Sequence, residues 1–173
     1  SERKNVVGDS YHVATWKLFG GSMNLDPHVL GDVKRNGYLA ESKGRGDWGS
    51  YIAQCDQVES YELTFPETAL YFFWGYVGRG LRTPRCRRRR SLLQNLRTSR
   101  EVYRFLAKQT NQLYIIDASI LSAMLKKAQR GKLRPVMAGK SELYPHIADT
   151  YGGESALHIP RRLLKALCEK PQL

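Results

Sequence analysis

The sequence predicts an α+β fold in a single domain, and three observations carry that expectation. Runs such as "NQLYIIDASIL" (111–121) have the aromatic and β-branched content of strands. Segments such as "RRLLKALCEK" (161–170) read as short helices. The length of 173 residues, at 42% hydrophobic and 25% charged, fits one core of ordinary globular composition. No internal repeat or linker divides the chain, so residues 1–173 are expected to form one domain, with a basic helical segment at 82–109 within it.

Taken in order, "DSYHVATWKLF" (9–19) is rich in aromatic and β-branched residues and predicts a strand, followed by a "GGSMN" loop. "LDPHVLGDVKRNGYL" (25–39) predicts a short helix. Asp26 is placed as its N-cap, Pro27 as its first residue, and Gly37 as the left-handed residue that closes it. "ESKGRGDWG" (41–49) reads as a polar, glycine-rich loop, and "SYIAQCDQVESYELTF" (50–65) as one or two strands. "PETALYFFWGYVGRGLRTP" (66–84) is an aromatic run passing into a glycine-punctuated loop expected to face a ligand. "RRRRSLLQNLRTSREVYRFLAKQ" (87–109) predicts a helix with leucines on one side and arginines on the other. A strand at 111–121, a helix over 121–133 stopped by Gly131, a strand "SALHIP" (155–160) and the helix over 161–170 complete the chain.

Composition narrows the function classes. The longest apolar runs, such as "ALYFFW" (69–74), fall far short of the roughly 20 residues that cross a bilayer, so no membrane partner is expected. The N-terminus shows no charged-then-apolar leader, and a cytoplasmic location is the expectation, with a secreted or injected effector as the alternative. Three scattered cysteines, Cys55, Cys86 and Cys168, argue against a disulfide framework and a structural zinc site. The net charge of +12 is concentrated: Arg82 to Arg104 hold nine arginines against one glutamate, a local +8.

That segment points to phosphate contacts, with Arg85, Arg87, Arg88, Arg89 and Arg90 as candidate nucleic-acid ligands. Phe72, Phe73, Trp74 and Tyr76, read as exposed, would add base stacking. Against this stands the plainer reading of a solvated basic surface. Arg79 differs because it lies between two glycines, where backbone approaches a ligand closely and a guanidinium can fork onto a phosphate. His12 is either satisfied by a backbone neighbour or donates to sugar hydroxyls or phosphates. Glu154 opens an apolar strand after a glycine pair, as a solvated residue or as a base or ribose-binding carboxylate. Phosphate-loop, zinc-protease and nucleophile-elbow motifs are absent, and the four histidines (12, 28, 146, 158) are not paired at metal spacing. No metal is expected.

Three pieces occur in order: "YHVAT" leading to "NGYL", then "LYFFWGYVGRG", then "GESALHIPRRLLKAL". Together they resemble the ADP-ribosyltransferase superfamily, in particular the branch that includes the DarT-type transferases acting on DNA. The last piece is similar to the catalytic-glutamate strand of the bacterial mono-ADP-ribosylating toxins. The resemblance implies a split β-sandwich that clasps NAD as co-substrate. It implies that His12 contacts a ribose with Thr15 beside it, and that Arg79 positions the cofactor or helps activate the acceptor. Glu154 would be the catalytic glutamate, bonding the nicotinamide-ribose 2′-hydroxyl, and Tyr38, Tyr51 or Tyr61 the aromatic that stacks on nicotinamide. The chain departs from the toxins at "GSYIAQ" (49–54), which lacks their strand threonine, and at Gly152, where they carry Gln or Glu. The implied function is transfer of ADP-ribose from NAD to a macromolecule, DNA or RNA first, with a cognate antitoxin or immunity protein as a further partner. The alternative is a non-enzymatic nucleic-acid-binding accessory protein using Arg82–Arg104. A third reading, a metal-dependent nuclease or replication initiator, would be distinguished by its sensitivity to EDTA.

Overall fold

A computed structural model describes residues 2–35, 37–44, 50–75, 113–131, 136–138, 141–143, 145–150 and 152–169. The predicted 87–109 helix and the glycine-punctuated loop after residue 75 lie outside them. The described residues form an α+β structure.

Helix α1 (Glu2–Phe19) occupies the segment expected to be a strand. Tyr11, Ala14, Thr15, Leu18 and Phe19 are buried, which is the three-to-four spacing of a helical stripe. Aromatic and β-branched content favours a strand only weakly, and burial of this stripe overrides it. Gly20, with φ of 80°, ends the helix, and its N–H donates to the Trp16 carbonyl at 2.8 Å.

Strand β1 (Ser22–Met23) leads into the segment expected to be a helix, which instead makes one turn. The capping is real: Asp26 Oδ1 accepts the His28 N–H at 2.9 Å. Asn24 Nδ2 then donates to the carbonyls of Val29 and Gly31, groups a continuing helix would use itself. Gly31, at φ of 90°, turns the chain away into β2 (Val33–Arg35). Gly37 does adopt positive φ, but it joins β2 to β3 (Tyr38–Gly44) instead of closing a helix. Most of the expected 41–49 loop's start is therefore strand.

Strand β4 (Tyr51–Gln54) runs directly into α2 (Cys55–Thr64), where one or two strands were expected. Strand β5 (Ala69–Trp74), β6 (Leu113–Asp117) and α3 (Ala118–Gln129) follow; then come the β7 (Val136–Ala138) and β8 (Ser141–Leu143) pair, β9 (His146–Asp149), β10 (Ser155–Ile159) and α4 (Arg161–Glu169). The expected strand near 111–121, the strand at 155–160 and the last helix are all present.

Five strands form one sheet in the order β1-β2-β3-β5-β6, with β3 and β5 parallel and the other pairs antiparallel. A second, antiparallel sheet has β10 at its centre between β4 and β9. Strand β5 is buried along its whole length, and its alternation feeds two cores. Leu70, Phe72 and Trp74 pack under α1, where Trp74 Nε1–H donates to the buried Thr15 hydroxyl at 2.8 Å. Ala69, Tyr71 and Phe73 enter the larger core, shared with Tyr51, Leu157 and Ile159 of the second sheet and with α2, α3 and α4. Phe72, Phe73 and Trp74 are therefore interior residues, not the exposed stacking platform expected from their density. Among the described residues Cys55 and Cys168 are buried free thiols, and burial pushes Cys168 up to about 12.

Candidate functional site

A cleft of about 390 Å³ opens between α1, the 24–32 turn, β3 and the start of α2. His12 faces it from α1, Asp26 and Asp32 from the turn, Glu41 from the middle of β3, and Gln57 from the first turn of α2. Its ionisable lining is three carboxylates and the two imidazoles His12 and His28, with no lysine or arginine. A chain of net charge +12 thus carries a cleft whose own field favours cations.

The carboxylates are held in a connected network. Asp32 Oδ2 accepts the Ser42 N–H at 2.7 Å and the Ser42 hydroxyl at 2.8 Å, while Oδ1 lies 3.2 Å from His12 Nε2. Glu41, 5% exposed, accepts the Tyr61 hydroxyl on one oxygen at 2.5 Å and Gln57 Nε2 on the other at 2.9 Å. Lys43 Nζ stands 3.4 Å from that second oxygen and donates to Gln54 Oε1 at 2.9 Å, joining β3 to the end of β4. Burial raises the Glu41 carboxyl above its ordinary range, and the Asp32 charge adds to this. Lys43 and the Tyr61 hydrogen bond act the other way. Burial, with Glu41 next, likewise raises Tyr61, so its phenol stays a donor at neutral pH.

Glu154 is exposed at the opening of β10. Its position comes from a tight turn: Thr150 N–H donates to the Glu154 carbonyl at 2.7 Å, and Gly153 N–H donates to the Thr150 carbonyl at 2.9 Å. Gly153 takes φ of 79°, which a glycine adopts without strain. The next residue, Ser155, has its hydroxyl 3.6 Å from Cys55 Sγ, at the first residue of α2. Two residues further on, Gln57 lines the cleft. Ser155, the chain neighbour of Glu154, thus touches the first residue of the helix that gives Gln57 to the cleft.

The other expected site residues divide. His12 lies in the cleft, on a helix and not on a strand. Thr15 is fully buried within α1's inward stripe, where its hydroxyl accepts the Trp74 indole N–H. Tyr51 is 1% exposed, packed edge-on against Phe73 and Tyr114 at 5.4 and 6.1 Å, so it has no open ring face to offer a ligand. Tyr61 is equally buried and serves Glu41. Tyr38 is partly buried and packs against the core beneath α1. Arg79, Arg85, Arg87, Arg88, Arg89 and Arg90 lie outside the described residues.

Sequence reasoning missed Asp32, Glu41, Lys43 and Gln57. Glu41 did carry a signal: it follows Leu39 and Ala40 directly, as a lone acid at the end of an apolar pair. Among the described residues no group of three or more His, Cys, Asp or Glu is disposed to hold a metal ion. Nor is any described helix long and apolar enough to cross a membrane. Comparison with protein families, with characterised proteins and with solved structures finds no match to this chain.

Proposed function

We propose that the protein is an ADP-ribosyltransferase that takes NAD as co-substrate and passes ADP-ribose to a nucleic-acid acceptor. The observation that carries this reading is an exposed Glu154 at the head of β10, whose neighbour Ser155 touches Cys55 at the start of α2, the helix that gives Gln57 to an acidic cleft. NAD is unevenly charged: its pyrophosphate is anionic and its nicotinamide ring is a cation. The cleft's carboxylates suit the cationic end and repel the other. The pyrophosphate then belongs to arginines, of which the chain has many between residues 79 and 104.

The chemistry fits a lone carboxylate. Breaking the bond between ribose and nicotinamide releases a neutral leaving group and leaves positive charge on the sugar. A fixed negative charge beside that sugar stabilises the transition state, and no acid is needed to assist departure. Glu154 supplies that charge, while Glu41, Gln57 and His12 offer hydrogen bonds to the ring carboxamide and ribose hydroxyls. Incubating the protein with NAD labelled in its adenylate portion, together with DNA and RNA, tests the proposal. Label should enter one of the nucleic acids. Salt-dependent DNA binding by a folded protein that neither consumes NAD nor labels any acceptor would favour the accessory-protein reading instead.

A further inference from the structure

We propose that His146 and His158 form a two-imidazole site for a late first-row divalent cation of the zinc, nickel or copper type, clipping β9 to β10. The two residues are direct cross-strand partners. Their rings stack at 5.0 Å between centroids with only 10° between planes. Alternation puts both on the sheet face away from Leu157 and Ile159, which enter the core. His146 is exposed on strand β9, at the sheet edge.

The second observation is the state of His158. Its Nε2 is buried and has no hydrogen-bond partner among the described residues. A buried ring nitrogen without a partner is costly, and such a group calls for an explanation. Its β4 partner in register is Ile52, which offers it no polar atom, whereas its β9 partner is a second imidazole. Imidazole is a borderline-soft donor that suits zinc, nickel and copper. Metal–nitrogen bonds of about 2.0–2.1 Å place two ligating nitrogens at most about 4.2 Å apart. Stacked rings hold their in-plane lone pairs side by side, so ligation requires one ring to turn about its soft terminal torsion until the two planes meet at the metal. Two protein ligands leave the remaining positions to water entering past the exposed His146, so this is a structural clip independent of the transfer chemistry at Glu154.

Calorimetric titration of the full chain, free of any histidine tag, with zinc at pH 7.5 tests the assignment. One equivalent should bind, and His146→Asn, an exposed change that spares the fold, should weaken binding by at least about tenfold, the equivalent of one lost ligand bond. His158→Asn should do the same. His12→Asn, which alters the cleft, should leave zinc binding unchanged. Zinc should also raise the melting temperature of the parent protein and not of either variant, because a ligand of the native state stabilises it. Zinc affinity indifferent to His146→Asn, or lost instead with His12→Asn, would overturn the proposal. So would the absence of a one-to-one isotherm.

Discussion

Glu41 is the residue whose energetics are most exposed to test. Its carboxyl is raised by burial, so the folded state holds a proton that the unfolded chain, with the ordinary carboxyl value of 4.5, gives up first. The associated stability is complete below pH 4.5 and is lost as pH rises through the folded value. Glu41→Gln removes that titration. Its melting temperature relative to the parent should therefore be higher at pH 8 than at pH 4.5, as scanning calorimetry at both values would read. A difference that does not vary with pH contradicts the assignment. Thr15 makes a second residue-scale case. Thr15→Val keeps the shape but strands the Trp74 indole N–H in the core, at about 1–3 kcal/mol. Chemical denaturation measures that loss, and Trp74→Phe in the Thr15→Val background should add less than it does alone.

At the scale of elements, β6, β10 and α4 were legible because composition and periodicity agree in them. Helix α1 was not, although its signal was present: Tyr11, Ala14, Thr15, Leu18 and Phe19 keep helical spacing while their types favour strands. The 24–32 segment shows the reverse failure. Asp26 and Pro27 are good helix-starting residues, yet Asn24 captures the carbonyls that would propagate the helix. Half of the candidate site was hidden by the same kind of ambiguity. Glu41 sits in a stretch whose glycines suggest a loop, while pairing with β5 makes it strand. His146 and His158 become neighbours through strand pairing, which sequence distance does not show. The turn that presents Glu154 was legible, since a glycine pair before an apolar run marks a turn into a strand. The α1–β3 contact gives a prediction of its own. An added Cβ at Gly44 would sit 1.7 Å from the Tyr11 ring, so Gly44→Ala should destabilise by about 1–3 kcal/mol. Unchanged denaturation would mean that α1 does not lie on β3 as described.

For the whole molecule, the contrast between an acidic cleft and a net charge of +12 sets different expectations for the two proposed partners, nucleic acid and NAD. Nucleic-acid binding should weaken steeply with added salt, because each neutralised phosphate releases counterions. In the proposed function the cationic end of NAD enters a small, partly enclosed cleft, and its binding should be much less sensitive to salt. NAD at about one hundred times its dissociation constant should stabilise the fold by about 2.7 kcal/mol, visible as a rise in melting temperature. Asp32→Asn should reduce that rise, since it removes one of the cleft's three carboxylates. In the proposed reaction Glu154 drives cleavage of NAD, and release of nicotinamide reads that step. The parent protein should release nicotinamide when given NAD and nucleic acid. Glu154→Gln, at an exposed site that leaves the melting temperature within error, should then slow release by about a hundredfold or more, the scale of one well-placed electrostatic group. Equal rates of release from the two proteins would contradict it.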